Sequence, residues 1–145
     1  MNDKEAALAL ANELRPILLQ LNRQLRRELA PLGITAGQAA LLYAIRTNPG
    51  LGVRALADRE GVSPPRVTAA IDRLAAMGLV RRARSGSDRR RVELDVTEEG
   101  LRVLRSARSR RTAWLAARLA RLAREELDVV AAAVPALRRL LAESP

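Results

Sequence analysis

Near the start of the chain, Leu10, Leu14, Ile17, Leu18, Leu21, Leu25 and Leu29 recur at three- and four-residue intervals. That spacing predicts one long amphipathic helix from about Lys4 to Leu29. Pro16 removes the donor that would bond the Asn12 carbonyl, so a kink or a restart is expected there, and Ala30-Pro31-Leu32-Gly33 ends the segment. Thr35 followed three residues later by Gln38 has capping-box spacing and opens a second helix at Ala36, which stops at Asn48-Pro49-Gly50. A third helix fits Val53 to Glu60. Gly61 turns the chain, Ser63 stands at an N-cap, Pro64 takes the first helical position, and a fourth helix runs to about Met77. Val67, Ala70, Ile71 and Leu74 form its inward face, which leaves Pro65, Arg66, Thr68, Ala69, Asp72 and Arg73 outward.

After Gly78 the period changes to two. Val92, Leu94 and Val96 alternate with Arg91, Glu93 and Asp95 as a half-buried strand, Leu79 to Arg84 is its partner, and Ser85-Gly86-Ser87-Asp88 is turn chemistry between them. Thr97 caps a fifth helix whose middle, Arg105 to Thr112, holds no large apolar residue and is expected to bridge through solvent. Apolar spacing resumes at Trp114, Leu115, Leu119 and Leu122. It continues in a sixth helix through Leu127, Val130, Val134, Leu137 and Leu141, which Pro135 should bend. The fold class is mainly α with a small β-hairpin.

Charge sharpens this picture. The 145 residues carry 26 Lys and Arg against 16 Asp and Glu, a net +10, and every basic residue except Lys4 is arginine. Such a balance favours a polyanion as partner, nucleic acid first and an anionic membrane surface second. Tyr43 and Trp114 are the only aromatics, too few to stack single-stranded bases, so duplex DNA fits better. Between Arg81 and Arg91 six arginines face one acid, Asp88, so eleven residues hold half of the net charge. No cysteine and no histidine occur, which excludes thiol redox sensing, disulfides, thiolate or imidazole metal sites and the commonest general base. No catalytic site, metal or cofactor is assigned. The N-terminus lacks the pattern of a secretory signal and no segment reaches the length of a membrane span, so a soluble cytoplasmic protein is expected.

Two helices joined by a glycine-bearing turn and followed by a basic hairpin read as a winged helix-turn-helix. The fourth helix would enter a major groove with Ser63, Pro64, Pro65, Arg66, Thr68, Ala69 and Arg73, and Thr35 at the start of the second helix joins this set. Arg84 leads into the hairpin tip, where Arg89 and Arg90 are placed to reach a minor groove and Asp88 to hold a guanidinium.

Leu56-Ala57-Asp58-Arg59-Glu60-Gly61-Val62-Ser63, then Val67-Thr68, Ile71-Asp72-Arg73-Leu74, Gly78-Leu79-Val80 and Asp88-Arg89-Arg90 leading to Val96-Thr97 resemble the MarR family of bacterial transcription regulators. The resemblance covers nearly the whole chain. Its most specific part is the wing pattern filled by Asp88, Arg90, Val96 and Thr97, with valine where leucine is usual. It departs at Ala69, where many relatives carry arginine, and at Ala123, where a Ser or Thr cap often opens the last helix.

The resemblance implies a homodimer in which the first, fifth and sixth helices interlock. Residues 1–33 and 98–145 are then dimerisation helices and 34–97 the DNA-binding domain, with Leu10, Leu14, Leu18, Leu127, Val130, Val134, Leu137 and Leu141 at the dimer contact. It also implies a small aromatic or acidic effector in a cleft, for which Arg15, Arg46, Arg108, Arg111 and Trp114 are candidates. The expected function is sequence-specific binding of a pseudo-palindromic duplex by a repressor that an effector releases. Two other classes remain open, a helical protein-interaction module and a membrane-surface helix around Arg102 to Arg111; the arginines of that stretch occupy several faces with no opposing apolar one.

Overall fold

The computed structural model describes residues 2–84 and 92–142, so the hairpin tip with Asp88, Arg89 and Arg90 lies outside the described residues, as does the side chain of Arg84. Six helices and a two-stranded antiparallel ribbon are described: α1 Asp3–Arg27, α2 Ala36–Thr47, α3 Val53–Glu60, α4 Pro64–Ala76, β1 Val80–Arg84, β2 Val92–Val96, α5 Glu98–Leu119 and α6 Arg124–Leu140. A short 3-10 turn, Ala30–Leu32, separates α1 from α2. The chain divides into two compact units, Met1–Arg111 and Thr112–Pro145.

The first unit holds the core. Leu42 and Ile45 of α2, Leu56 of α3, Val67, Ile71 and Leu74 of α4, Leu79, Val80 and Val96 of the ribbon base and Val103 of α5 form one buried cluster. Leu29 belongs to it and is wholly buried. It lies beyond the end of α1, so it is not a continuation of the helix's apolar stripe as the spacing suggested.

Local chemistry starts each element. Thr35 Oγ1 accepts from the Gln38 backbone N–H at 3.1 Å and Gln38 returns the bond to the Thr35 N–H at 2.9 Å, the reciprocal box expected for α2. Gly61 ends α3 at φ 65°, a left-handed conformation that costs glycine nothing, and the Val62 N–H then closes on the Ala57 carbonyl at 3.1 Å. Ala123 opens α6 without a side-chain acceptor, and Glu126 supplies the other half of a box by accepting from its N–H at 2.9 Å. At the start of α5, Arg102 donates to both oxygens of Glu99, at 2.9 and 2.5 Å, and holds that carboxyl below its usual range. Because the folded pKa is depressed, the benefit is present above the ordinary carboxylate pKa and is lost as pH falls through the lowered one.

Three further expectations need correction. Ser63 occupies the N-cap of α4 with extended backbone, but its side chain makes no capping bond. α1 continues through Pro16 without a restart, and α6 runs on through Pro135. Both helices are exposed around the proline, so water can take up the carbonyl that loses its donor. Val92 is 54% exposed, so the inner face of β2 is covered only at Leu94, in part, and at Val96. The middle of α5 does not simply bridge through solvent, because Ala107 is only 3% exposed and joins the core. A methyl group there permits the close approach that a larger residue would prevent.

Gly100 has the least room of any described glycine. A Cβ at that position would lie 2.2 Å from the Leu79 carbonyl oxygen and 2.6 Å from Val96 Cγ1, so α5 meets the ribbon base too closely for any side chain. Gly100→Ala is expected to destabilise the protein by about 2–3 kcal/mol in urea unfolding, as overpacking against backbone does. Gly37, whose nearest neighbour would be Thr35 Oγ1 at 3.9 Å, is the control. Gly37→Ala should leave stability within about 1 kcal/mol or raise it, and equal losses at both positions would contradict the crowding at Gly100.

Candidate nucleic-acid interface

α3, the Gly61 turn and α4 form the helix-turn-helix, and the direction of α4 follows from its buried side. Val67, Ile71 and Leu74 enter the core, so Pro65, Arg66, Thr68, Ala69, Asp72 and Arg73 are exposed, as the spacing predicted. Pro64 occupies the first helical position. A groove of about 510 Å³ runs beside the helix, lined by Thr35, Gln38 and Leu41 from α2, Glu60 and Val62 from the turn region, and Arg66, Ala69 and Arg73 from α4. The structure thus brings Thr35, Arg66, Ala69 and Arg73 to one groove. Ser63, Pro64, Pro65 and Thr68 are exposed on the same helix and its cap but do not line it.

Gln38, Glu60 and Val62 were not anticipated. The spacing of Thr35 and Gln38 placed both at a helix start, but that this start lies against α4 is a long-range fact with no local signal. Two guanidiniums and the positive N-terminal end of α2 make the groove attractive to anions, with Glu60 the one opposing charge in its lining.

The ribbon is in register from Val80 opposite Val96 to Arg84 opposite Val92, and it carries the arginine-rich tip at its far end. Arg81 pairs with Asp95 across the ribbon at 3.0 Å. Its base is set by Thr97, whose Oγ1 donates to the Gly78 carbonyl at 2.6 Å and accepts from the Gly100 N–H at 3.0 Å.

The effector candidates are spread over three helices. Arg15 on α1 reaches Asn12 Oδ1 at 3.4 Å, and Arg46 and Arg108 are exposed on α2 and α5. Arg111 is half-buried, and its Nε is buried with no hydrogen-bond partner among the described residues. Trp114 is half-buried and covered on one face by the guanidinium of Arg118, 4.4 Å from the ring centre. None of the five lines the groove beside α4. The dimer candidates lie on helices that bury no residue: on α1 Leu10 and Leu18 are 62% and 46% exposed and Leu14 is half-buried. On α6 Leu127 is half-buried and Val130, Val134 and Leu137 are exposed, with Leu141 just beyond the helix end.

Comparison with known proteins gives the same outline. A family model described as MarR family matches residues 32–91. A Mycobacterium bovis protein named as an uncharacterized HTH-type transcriptional regulator is 37% identical over 145 residues, the full length of both chains. The HTH-type transcriptional repressor MdtR of Bacillus subtilis is 30% identical over 128 residues, covering 88% of this chain and 78% of its own. Among solved structures, a MarR family protein from Bacillus stearothermophilus superposes with a TM-score of 0.81 at 26% identity, covering 99% of each chain.

The two caps that border the interface differ in a way that can be measured. Thr35→Ala breaks the bonded box and should cost about 1 kcal/mol in thermal or urea unfolding. Ser63→Ala removes a hydroxyl that bonds nothing in the helix and should change stability by less than about 0.5 kcal/mol. A larger loss at Ser63 than at Thr35 would contradict the cap geometry.

Proposed function

This chain belongs to the MarR family of transcription regulators, and we propose that it acts as a repressor that binds, as a homodimer, a pseudo-palindromic duplex site. The observation that carries this reading is the exposed side of α4, where Arg66 and Arg73 share a groove with the start of α2, beside a ribbon that leads into the arginine-rich tip. An α-helix fits the roughly 12 Å width of a major groove, and two copies set about one helical turn apart, roughly 34 Å, would read both halves of a two-fold site. Arg66, Thr68 and Arg73 face the bases on this reading, while Arg89 and Arg90 engage a backbone and the adjacent minor groove. Occupying a promoter excludes polymerase.

The partner copy is inferred from α1 and α6, whose apolar stripes are left largely exposed among the described residues. Residues 1–33 and 98–145 supply the dimerisation helices on this reading, and 34–97 the DNA-binding part. A small aromatic or acidic effector would act by preferring a different spacing of the two α4 helices, and it could shift the equilibrium only by its difference in affinity between the two arrangements. Arg111 is the candidate whose buried Nε finds no acceptor among the described residues. No single described helix is long and apolar enough to cross a membrane.

Selection of bound sites from random duplexes is the deciding experiment, and a two-fold related sequence is the expected product. On that site Arg90→Ala should weaken binding about tenfold for all sequences and lower the salt slope by about one. Arg66→Ala or Thr68→Val should instead change which bases are preferred, at about 1–3 kcal/mol per altered contact. Unchanged affinity and salt slope in Arg90→Ala would remove the wing from the reading. For the dimer, Leu18→Glu combined with Val130→Glu should give a helical monomer by sedimentation, and a persistent dimer would place the interface elsewhere.

A further inference from the structure

Asp72 is the sole acidic residue on α4, and it sits on the exposed side one turn beyond Thr68. A carboxylate on a helix that approaches a polyanion repels it, so its retention there points to another role. Arg82 of β1 supplies that role by donating from Nη2 to Asp72 Oδ1. The alternation of the strand explains how they meet. Val80 and Arg82 lie on one face of β1, and Val80 is buried in the core that α4 also enters, so Arg82 emerges on the side of the helix. Arg81, on the opposite face, bonds Asp95, its direct neighbour across the ribbon. Of these adjacent arginines, one braces the ribbon internally and the other ties it to α4.

We propose that Asp72 and Arg82 are a positioning pair that clasps the rising strand of the wing to α4, so that the helix face and the wing tip meet one duplex together. This rests on the reading of α4 and the wing as the duplex-binding parts. Both side chains are substantially exposed, and an exposed ion pair adds little to folding; the strand is already held by its partner strand and by Val80. What the pair restricts is the angle of the ribbon. Two contact elements on one rigid body bind as a linked pair, and loosening one lowers its effective concentration at its own contact. The clasp also matches the charge of Asp72 internally, which reduces the repulsion it would otherwise offer.

Charge repulsion alone and positioning make opposite predictions for Asp72→Asn. With the clasp, affinity for the duplex selected by the wild-type protein falls about tenfold even though a repelling charge is gone. Arg82→Gln should fall too, and Asp72→Asn with Arg82→Gln should bind no worse than Arg82→Gln alone, because the two share one interaction. The reversed pair, Asp72→Arg with Arg82→Asp, should recover most of the loss. Thermal midpoints should scarcely move, while amide hydrogen exchange at Arg81 to Ala83 without DNA becomes faster in each single variant. Equal or tighter duplex binding by Asp72→Asn would overturn the proposal, as would unchanged exchange in β1. If the wild-type protein bound no duplex, the reading of α4 would fall, and the exchange measurement would still decide whether the clasp holds the strand.

Discussion

Thr97 makes three hydrogen bonds that join the end of α4, the ribbon and the start of α5. Its N–H donates to the Leu79 carbonyl at 3.0 Å, its hydroxyl donates to the Gly78 carbonyl at 2.6 Å, and the same hydroxyl accepts from the Gly100 N–H at 3.0 Å. Gly78, at φ 74°, makes the sharp exit from α4 that brings those carbonyls into reach. Gly100 then allows the first turn of α5 to rest directly on the Leu79 backbone. These bonds and the close contact at Gly100 tie the end of α4, the ribbon base and the first turn of α5 together. On the proposed reading, a ligand that turned α5 would act on α4 through these contacts.

The same junction shows why parts of the fold were legible and others were not. Caps, turns and periodicity are local, so Thr35 with Gln38, the Gly61 turn and the inward face of α4 could be read from residue spacing alone. Ser63 looked like a side-chain cap by identity, but the choice of bond partner depends on rotamer and surroundings that spacing does not contain. Leu29 and Ala107 were misjudged for a related reason. One matched the period of α1 although the helix had already ended, and the other was too small to register as core although its size is what permits burial. The groove beside α4 and the pairing of Asp72 with Arg82 join residues far apart in sequence. They follow from how α2, α4 and β1 stack, and no single segment encodes that.

α1 poses a different constraint. It ends near α5, where Arg110 donates from Nε to the Glu28 carbonyl at 2.9 Å and approaches the Glu28 carboxylate at 3.5 Å. A cation at a helix C-terminus is favourable with the dipole, and this one also satisfies a carbonyl that the helix leaves open. The contact anchors one end of a 25-residue helix in which no residue is fully buried. Small chains cannot cover every apolar stripe with their own surface, and on the proposed reading a second copy would offer the complementary stripe.

The start of α4 sets how the interface must share its work. A helix normally offers several free N–H groups at its first turn, and these are common phosphate anchors. Pro64 and Pro65 each remove one, and the Val67 N–H is spent on the Ser63 carbonyl at 3.1 Å. Arg66 is left to present the one backbone donor of that turn beyond the cap, along with its side chain. Ala69 adds no reach, since a methyl group can only touch apolar base edges. On the proposed reading, affinity would then come from guanidinium charge on α4 and in the wing, and would depend steeply on salt. On the proposed reading, sequence discrimination rests on the few side chains of α4 long or polar enough to meet base edges, Arg66, Thr68 and Arg73, so the angle at which α4 is held against the wing would matter more here than in a helix furnished with many readers.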